Sequence, residues 1–210
     1  MSTIDRLPSS RLKAVGLTGG IGSGKSSVAR YCARRFGLEI IDADRVCRHL
    51  LDPGGGGYEP FISSFGRDYL AADGGIDRQR LRLDIFRDHK LRQRLNDFMH
   101  PLARHEIENM VARAVEPRRC LVEVPLLYEA GWENDFSAVV VVYATDSRCL
   151  ARLMQRDQLS LDQAADAIAA QLPLKEKAFR ADHVIDNSGC WQDTCLQILH
   201  LGKILWAAEG

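Results

Sequence analysis

The stretch that most restricts the fold lies near the start of the chain. A short apolar run, Lys13-Ala-Val-Gly-Leu-Thr18, passes directly into Gly19-Gly-Ile-Gly-Ser-Gly24-Lys25-Ser26, and Ser26 to Phe36 then carries its apolar residues at helical spacing. This reads as a buried strand, a glycine loop and a helix. The spacing Gly-x-x-x-x-Gly-Lys-Ser has a physical reason. Glycines let the backbone wrap a phosphate without Cβ clashes, so several N–H groups can point inward. The helix that follows adds the positive end of its dipole. Lys25 can reach the terminal phosphates, and the Ser26 hydroxyl can ligate Mg²⁺. Gly19, Gly20, Ile21, Gly22, Ser23, Gly24, Lys25, Ser26 and Ser27 are the expected phosphate-binding set, and a nucleoside triphosphate such as ATP the expected ligand.

The rest of the chain supplies the sheet that such a loop needs. Leu38–Asp42, Cys120–Val124, Ala138–Ala144 and His183–Asp186 read as strands. Their continuous aliphatic runs suit a parallel sheet covered on both faces. Helices are expected at Arg45–Leu51, Tyr58–Phe65, Asp77–Asp88, Lys90–Met99, Leu102–Val115, Ser147–Asp157 and Trp191–Ala208, with His100-Pro101 as a break. Ser160-Leu-Asp-Gln163 has the form of a capping box and opens one more. Strands alternating with helices predict an α/β fold. The expected organisation is one domain with a core over 13–57 and 117–210, a helical insertion over about 58–116, a lid over about 147–180, and a loose leader over residues 1–12.

Composition removes several function classes. Lys and Arg number 28 and Asp and Glu also 28, so no basic excess supports a broad nucleic-acid footprint or an anionic-membrane binder. No stretch approaches the roughly 18 apolar residues of a membrane helix, and no signal-peptide pattern opens the chain; a cytoplasmic protein is expected. The six cysteines form no Cys-x-x-Cys pair, and the six histidines no pair at four-residue spacing, so reduced thiols and no structural zinc are expected. Trp132, Trp191 and Trp206 are read as packing residues.

In a doubly wound sheet ligands meet the carboxyl ends of the strands. Asp42 and Asp44 end the second predicted strand and Glu123 nears the end of the third, so these carboxylates should face the phosphates. Asp44 is the candidate base for an attacking hydroxyl, with a helix N-cap as the competing role. Asp42 is a candidate supporting group or partner of a Mg²⁺ water, and Glu123 either a partner of the metal's water or a strand-end charge. Arg148, Arg152 and Arg156, four residues apart, share one helical face: a lid over phosphates or a solvated surface.

Taken together, Leu17-Thr-Gly-Gly-Ile-Gly-Ser-Gly-Lys-Ser26, Ile41-Asp-Ala-Asp44, His100-Pro101, Val124-Pro-Leu-Leu127, Arg152-Leu-Met-Gln-Arg-Asp157, Gln171 and Ala181-Asp-His-Val-Ile-Asp-Asn187 resemble the dephospho-CoA kinase family over roughly residues 13–190. The resemblance implies a P-loop nucleoside triphosphate hydrolase fold with a five-stranded parallel sheet, helices on both faces, a helical substrate-domain insertion and a lid. It implies phosphoryl transfer from ATP, with Mg²⁺, to the ribose 3′-hydroxyl of dephospho-CoA, by a monomer or weak homo-oligomer. It makes Asp44 the base, Lys25 and Ser26 the phosphate and Mg²⁺ residues, and Arg152 and Arg156 the lid arginines. It sets Thr18, Asp42, Asp44 and His100 on the acceptor side and Asn187 near the ATP base. Three positions depart from the family's usual residues: Glu123 where Asp is frequent, Cys149 where Gln is frequent, and Ser27 for Thr. The competing readings are another small-molecule P-loop kinase, such as a nucleoside monophosphate kinase, and a nucleotide-dependent switch without a small-molecule acceptor.

Overall fold

Five runs of aliphatic residues form β1 (Leu12–Gly19), β2 (Glu39–Asp42), β3 (Cys120–Glu123), β4 (Phe136–Tyr143) and β5 (His183–Asp186), all parallel, in the order β2-β3-β1-β4-β5. The structure is a computed structural model and describes residues 11–116 and 119–206. The helices, in chain order, are α1 (Lys25–Phe36), α2 (Ala43–Leu50), α3 (Tyr58–Phe65), α4 (Arg78–Arg87), α5 (His89–Arg113), α6 (Asp146–Asp157), α7 (Leu161–Ala169), α8 (Leu174–Arg180) and α9 (Trp191–Leu205).

The described residues divide into two compact units. One runs up to Asp42 and resumes at Val111; the other is Ala43–Met110. The second unit thus opens with α2 itself, whereas the order of predicted elements set the helical insertion at about 58–116. Gly57 explains the earlier start: its N–H donates to the Leu50 carbonyl at 2.9 Å, folding the glycine run back onto the end of α2.

The first unit is built on β1, β3 and β4, whose interior residues are buried. Val28, Ala29 and Cys32 of α1 and Ile198 and Leu201 of α9 pack with Val15, Leu17, Leu121, Val140, Val142 and Ile185 in one core. Burying an aliphatic side chain contributes about 1.5–3 kcal/mol, so this cluster fixes α1 rigidly behind the loop after β1. Trp206 packs on Phe36 and Trp191 sits edge-on to Tyr31. The capping box at Ser160 forms, with both reciprocal hydrogen bonds to Gln163, and starts α7.

The second unit is held by a different core. Phe61, fully buried, stacks on Phe65 at 4.8 Å and meets Phe98 edge-on at 6.2 Å. Asp77 caps α4 by accepting from the Arg80 N–H at 2.9 Å.

Three expectations need correction. His100-Pro101 does not break a helix: α5 is continuous over 25 residues with Pro101 inside it. Proline removes one backbone donor, but Met99, Ala103, Ile107 and Val111, each four residues from the next, are all buried and carry one apolar stripe across it. α8 was not anticipated. The closing helix stops at Leu205 rather than Ala208, and residue 208 lies outside the described residues. The leader expected over 1–12 also lies largely outside them, and Leu12 already belongs to β1.

Candidate active site

The loop after β1 turns at Gly22 (φ 78°) and Gly24 (φ 91°), both in the left-handed region that side chains avoid. A Cβ on Gly22 would lie 2.6 Å from the Cys149 carbonyl oxygen, so only glycine lets α6 approach here. Gly24 is the N-cap of α1 and gives no side-chain cap, and the first turn of α1 has no acidic residue. The helix therefore presents its N-terminal dipole to an anion with no charge of its own in the way.

Lys25, Ser26 and Glu123 are brought together. Lys25 Nζ donates to Glu123 Oε1 at 2.5 Å, and Ser26 Oγ donates to the same oxygen at 2.7 Å. The side chains of Lys25 and Glu123 are only 11% and 9% exposed, so this pair is largely desolvated. Strand register sets Asp42 beside Glu123 at the carboxyl edge of the sheet. Thr18 is fully buried at the end of β1, and its hydroxyl donates to the Pro125 carbonyl at 3.2 Å.

Arg152 reaches the loop from α6. Its Nη1 donates to the carbonyls of Gly22 and Ser23, at 3.3 and 3.1 Å, and its Nη2 to that of Asn187 at 2.9 Å. Resemblance assigned Arg152 a charge-neutralising task over phosphates; its observed targets are loop carbonyls. Arg156, one turn on, makes a two-pronged pair with Asp157, both bonds 2.7 Å, and its side chain is 62% exposed. Arg148 is exposed. Asn187 is buried, and its Nδ2 donates to the Ser23 carbonyl at 2.7 Å. A cavity of about 410 Å³ opens here, lined by Gly22, Gly24, Ser26, Arg30, Arg152 and Arg156 among others, with three guanidinium groups on its wall.

Asp44 and His100 belong to the second unit. Asp44 is exposed and is the second residue of α2. That places it inside the first turn rather than at the N-cap, where the helix dipole favours its negative charge. His100 is half-buried; burial first, and then the Arg104 charge, lower its pKa, against a raising effect of Asp97.

Several residues tied to the loop were not assigned there from sequence. Gln171 Oε1 accepts from the Ile21 N–H at 2.9 Å. Glu129 Oε1 accepts from the Leu172 N–H at 3.0 Å and pairs with the fully buried Lys177 at 2.7 Å. Together they fasten residues 171–177 to the loop and to the segment after β3. No sequence signal marked this, because Lys177 lies in Leu174-Lys-Glu-Lys-Ala-Phe-Arg180, four of whose seven residues are charged, and only the fold shows which of them is buried and needs a partner.

The donor set suits a hard cation. Ser26 and Glu123 offer oxygen, and Mg²⁺ takes one or two protein oxygens and completes its shell with phosphates and water. Among the described residues no group of three or more His, Cys, Asp or Glu is arranged to hold a metal by itself.

A family model described as dephospho-CoA kinase matches residues 13–193. A dephospho-CoA kinase of Shouchella clausii is 38% identical over 187 residues, covering 88% of this chain and 94% of that protein. Among solved structures, TT1252 from Thermus thermophilus superposes with a TM-score of 0.77 at 29% identity, covering 96% of this chain and all of that one. A dephospho-CoA kinase from Campylobacter jejuni superposes with a TM-score of 0.66 at 28% identity, covering 92% and 97%.

Proposed function

The chain belongs to the dephospho-CoA kinase family, and from that premise we propose that it transfers the γ-phosphoryl group of ATP to the ribose 3′-hydroxyl of dephospho-CoA, giving CoA and ADP. The observation that carries the reading is the meeting of Lys25, Ser26 and Glu123 at the uncapped start of α1. A polyanion is attracted there by one lysine, a helix dipole and a guanidinium-lined cavity. The family match over 13–193 favours this over a nucleoside monophosphate kinase or a nucleotide switch.

In this reading the loop N–H groups and Lys25 hold the β- and γ-phosphates. Asp44 takes the proton of the 3′-hydroxyl as that oxygen bonds to the γ-phosphorus and the bond to the β–γ bridging oxygen breaks. Arg156 leaves Asp157 to neutralise charge on the transferring group. Ser26 would hold Mg²⁺, with Glu123 and Asp42 as supporting carboxylates, and the metal would supply positive charge to offset the negative charge that builds as the phosphoryl group is transferred. Thr18, Asp42 and His100 lie on the acceptor side, and Asn187 lies beside the ATP base. Six free cysteines support a reducing, cytoplasmic setting. No described helix is long and apolar enough to cross a membrane. The protein works as a monomer or weak homo-oligomer.

The test is to incubate the protein with Mg-ATP and dephospho-CoA, AMP or no acceptor, and to follow ADP. Dephospho-CoA should raise ADP release well above the other two. Equal release in all three rejects the proposal.

A further inference from the structure

The loop's inner side is held by a directional chain of hydrogen bonds that ends on a residue with no expected role. The Ser23 carbonyl can only accept, and the atom 2.7 Å from it is assigned as Asn187 Nδ2. The reverse orientation of that amide would set two acceptor oxygens against each other, so the carbonyl fixes the amide. Oδ1 of Asn187 then faces Thr194 Oγ1 at 3.0 Å and must accept. The Thr194 hydroxyl has one proton. Its other neighbours, the carbonyls of Asp186 and Cys190, lie farther away at 3.5 and 3.4 Å. Thr194 and Asn187 are both buried, Thr194 completely, so water does not substitute for either bond. Arg152 closes the arrangement by donating to the carbonyls of both Ser23 and Asn187. The Gly22 and Ser23 carbonyls are thus held on this inner side, and the Ser23 N–H closes the turn by donating to the Gly20 carbonyl at 3.1 Å.

We propose that Thr194, in the first turn of α9, is a positioning residue for the phosphate loop: its hydroxyl locks the Asn187 carboxamide, and that amide in turn holds the Ser23 carbonyl and the backbone turn around it. The inference rests on the loop being the ATP phosphate site. It gives Asn187 an inward task for its side chain, in addition to its place near the ATP base. Thr194 touches no substrate; it acts only through Asn187.

Thr194→Val keeps the shape and removes the hydroxyl, leaving Asn187 Oδ1 buried without its donor. Mg-ATP binding is measured by titration calorimetry without acceptor, beside steady-state kinetics and a thermal melt. Thr194→Val should weaken Mg-ATP binding about ten-fold and raise the ATP KM in parallel. It should leave the acceptor KM unchanged and kcat at saturating ATP within about three-fold. Thr194→Ser, which restores the hydroxyl, should bind within about two-fold of the parent protein. Asn187→Ala should weaken binding by itself, and adding Thr194→Val to it should cost nothing further, because the intermediary is gone. A folded Thr194→Val with unchanged affinity, a Thr194→Ser equally impaired, or additive losses in the double variant each overturns the inference. If Thr194→Val does not fold, Thr194→Ala and Thr194→Ser are compared on the same scale, and equal affinity for those two overturns it. Failure of the parent protein to bind Mg-ATP removes the site itself and is read from the first titration.

Discussion

Lys25 and Ser26 both donate to one atom, Glu123 Oε1, at 2.5 and 2.7 Å. The carboxylate therefore holds the two groups that the proposed reaction turns towards phosphate and metal. It also stands where the polyphosphate would bring its own negative charge. Glu123→Gln should act with opposite signs on two measurements. Metal-free ATP, titrated in EDTA, should bind more tightly, because one repelling charge is gone and Lys25 is released. Turnover should fall roughly 10–100-fold, and the Mg²⁺ concentration for half-maximal rate should rise, if the carboxylate orders the metal's water. A uniform loss in both would return Glu123 to a purely structural place.

Arg152 and Arg156 lie one turn apart on α6 and are predicted to fail differently. Arg152→Ala strips donors from three carbonyls, those of Gly22, Ser23 and Asn187. It should lower the melting temperature by several degrees and weaken ATP binding. Arg156→Ala removes only an exposed pair with Asp157, and such pairs contribute little to stability. It should leave the melting temperature and ATP affinity near those of the parent and lower kcat. Thermal melts and calorimetry on the two variants, side by side, decide this; identical profiles would dissolve the distinction.

Asp44→Asn addresses the chemical step alone. Its side chain is exposed in the first turn of α2, where losing the charge forfeits only its interaction with the helix dipole, about 0.3–1 kcal/mol, so the protein should stay folded. Turnover should drop by ~10²-fold or more with ATP affinity preserved, because the amide cannot take the proton. Single-turnover ADP formation gives the reading; retained turnover would move the base elsewhere.

The sheet was legible because its central strands carry short continuous apolar runs that a sheet covered on both faces buries, and Val139 to Val142, all β-branched and buried, is the clearest of them. The loop was legible because phosphate imposes its spacing. Glu123 near Lys25 followed from the rule that parallel strands share a carboxyl edge. What sequence concealed has a common cause. Arg152 was read by its charge, yet it binds backbone carbonyls, which carry no residue signature. Thr194 looks like any threonine in a first turn. α8 is seven residues behind Pro173, too short for a periodic pattern. Pro101 was weighed as a local breaker, while the stripe from Met99 to Val111 that overrides it is tertiary.

His100 gives the second unit a pH dependence of known sign. Burial chiefly, with Arg104, depresses its pKa below the usual 6.5. Between the depressed value and 6.5 the unfolded chain binds more protons than the folded one, so stability rises with pH. The full stability is present above 6.5 and is lost as pH falls through that value towards the folded pKa. His100→Gln should flatten the slope of melting temperature against pH between about 7 and 5 relative to the parent. Parallel slopes would place the acid sensitivity in other groups.

The cysteines should react in the order of their burial. Cys32 is buried in the core between α1 and the sheet, and burial pushes its thiol up to about 12. At pH 7.5 such a thiol is ionised in on the order of one molecule in 10⁴–10⁵, and only the thiolate attacks. Burial also raises Cys120 and Cys149. Cys190 is exposed at the N-cap of α9. Iodoacetamide on the native protein should therefore modify Cys190 first and leave Cys32, Cys120 and Cys149 untouched until denaturant is added, as peptide mass mapping would show. Because Cys190 lies four residues before Thr194, its carboxamidomethylation should leave nucleotide binding intact only if the buried hydrogen bond from Thr194 to Asn187 survives. Calorimetry on the alkylated protein checks that, and early labelling of Cys32 would mean that the packing of α1 on the sheet opens far more often than a buried core of this composition permits.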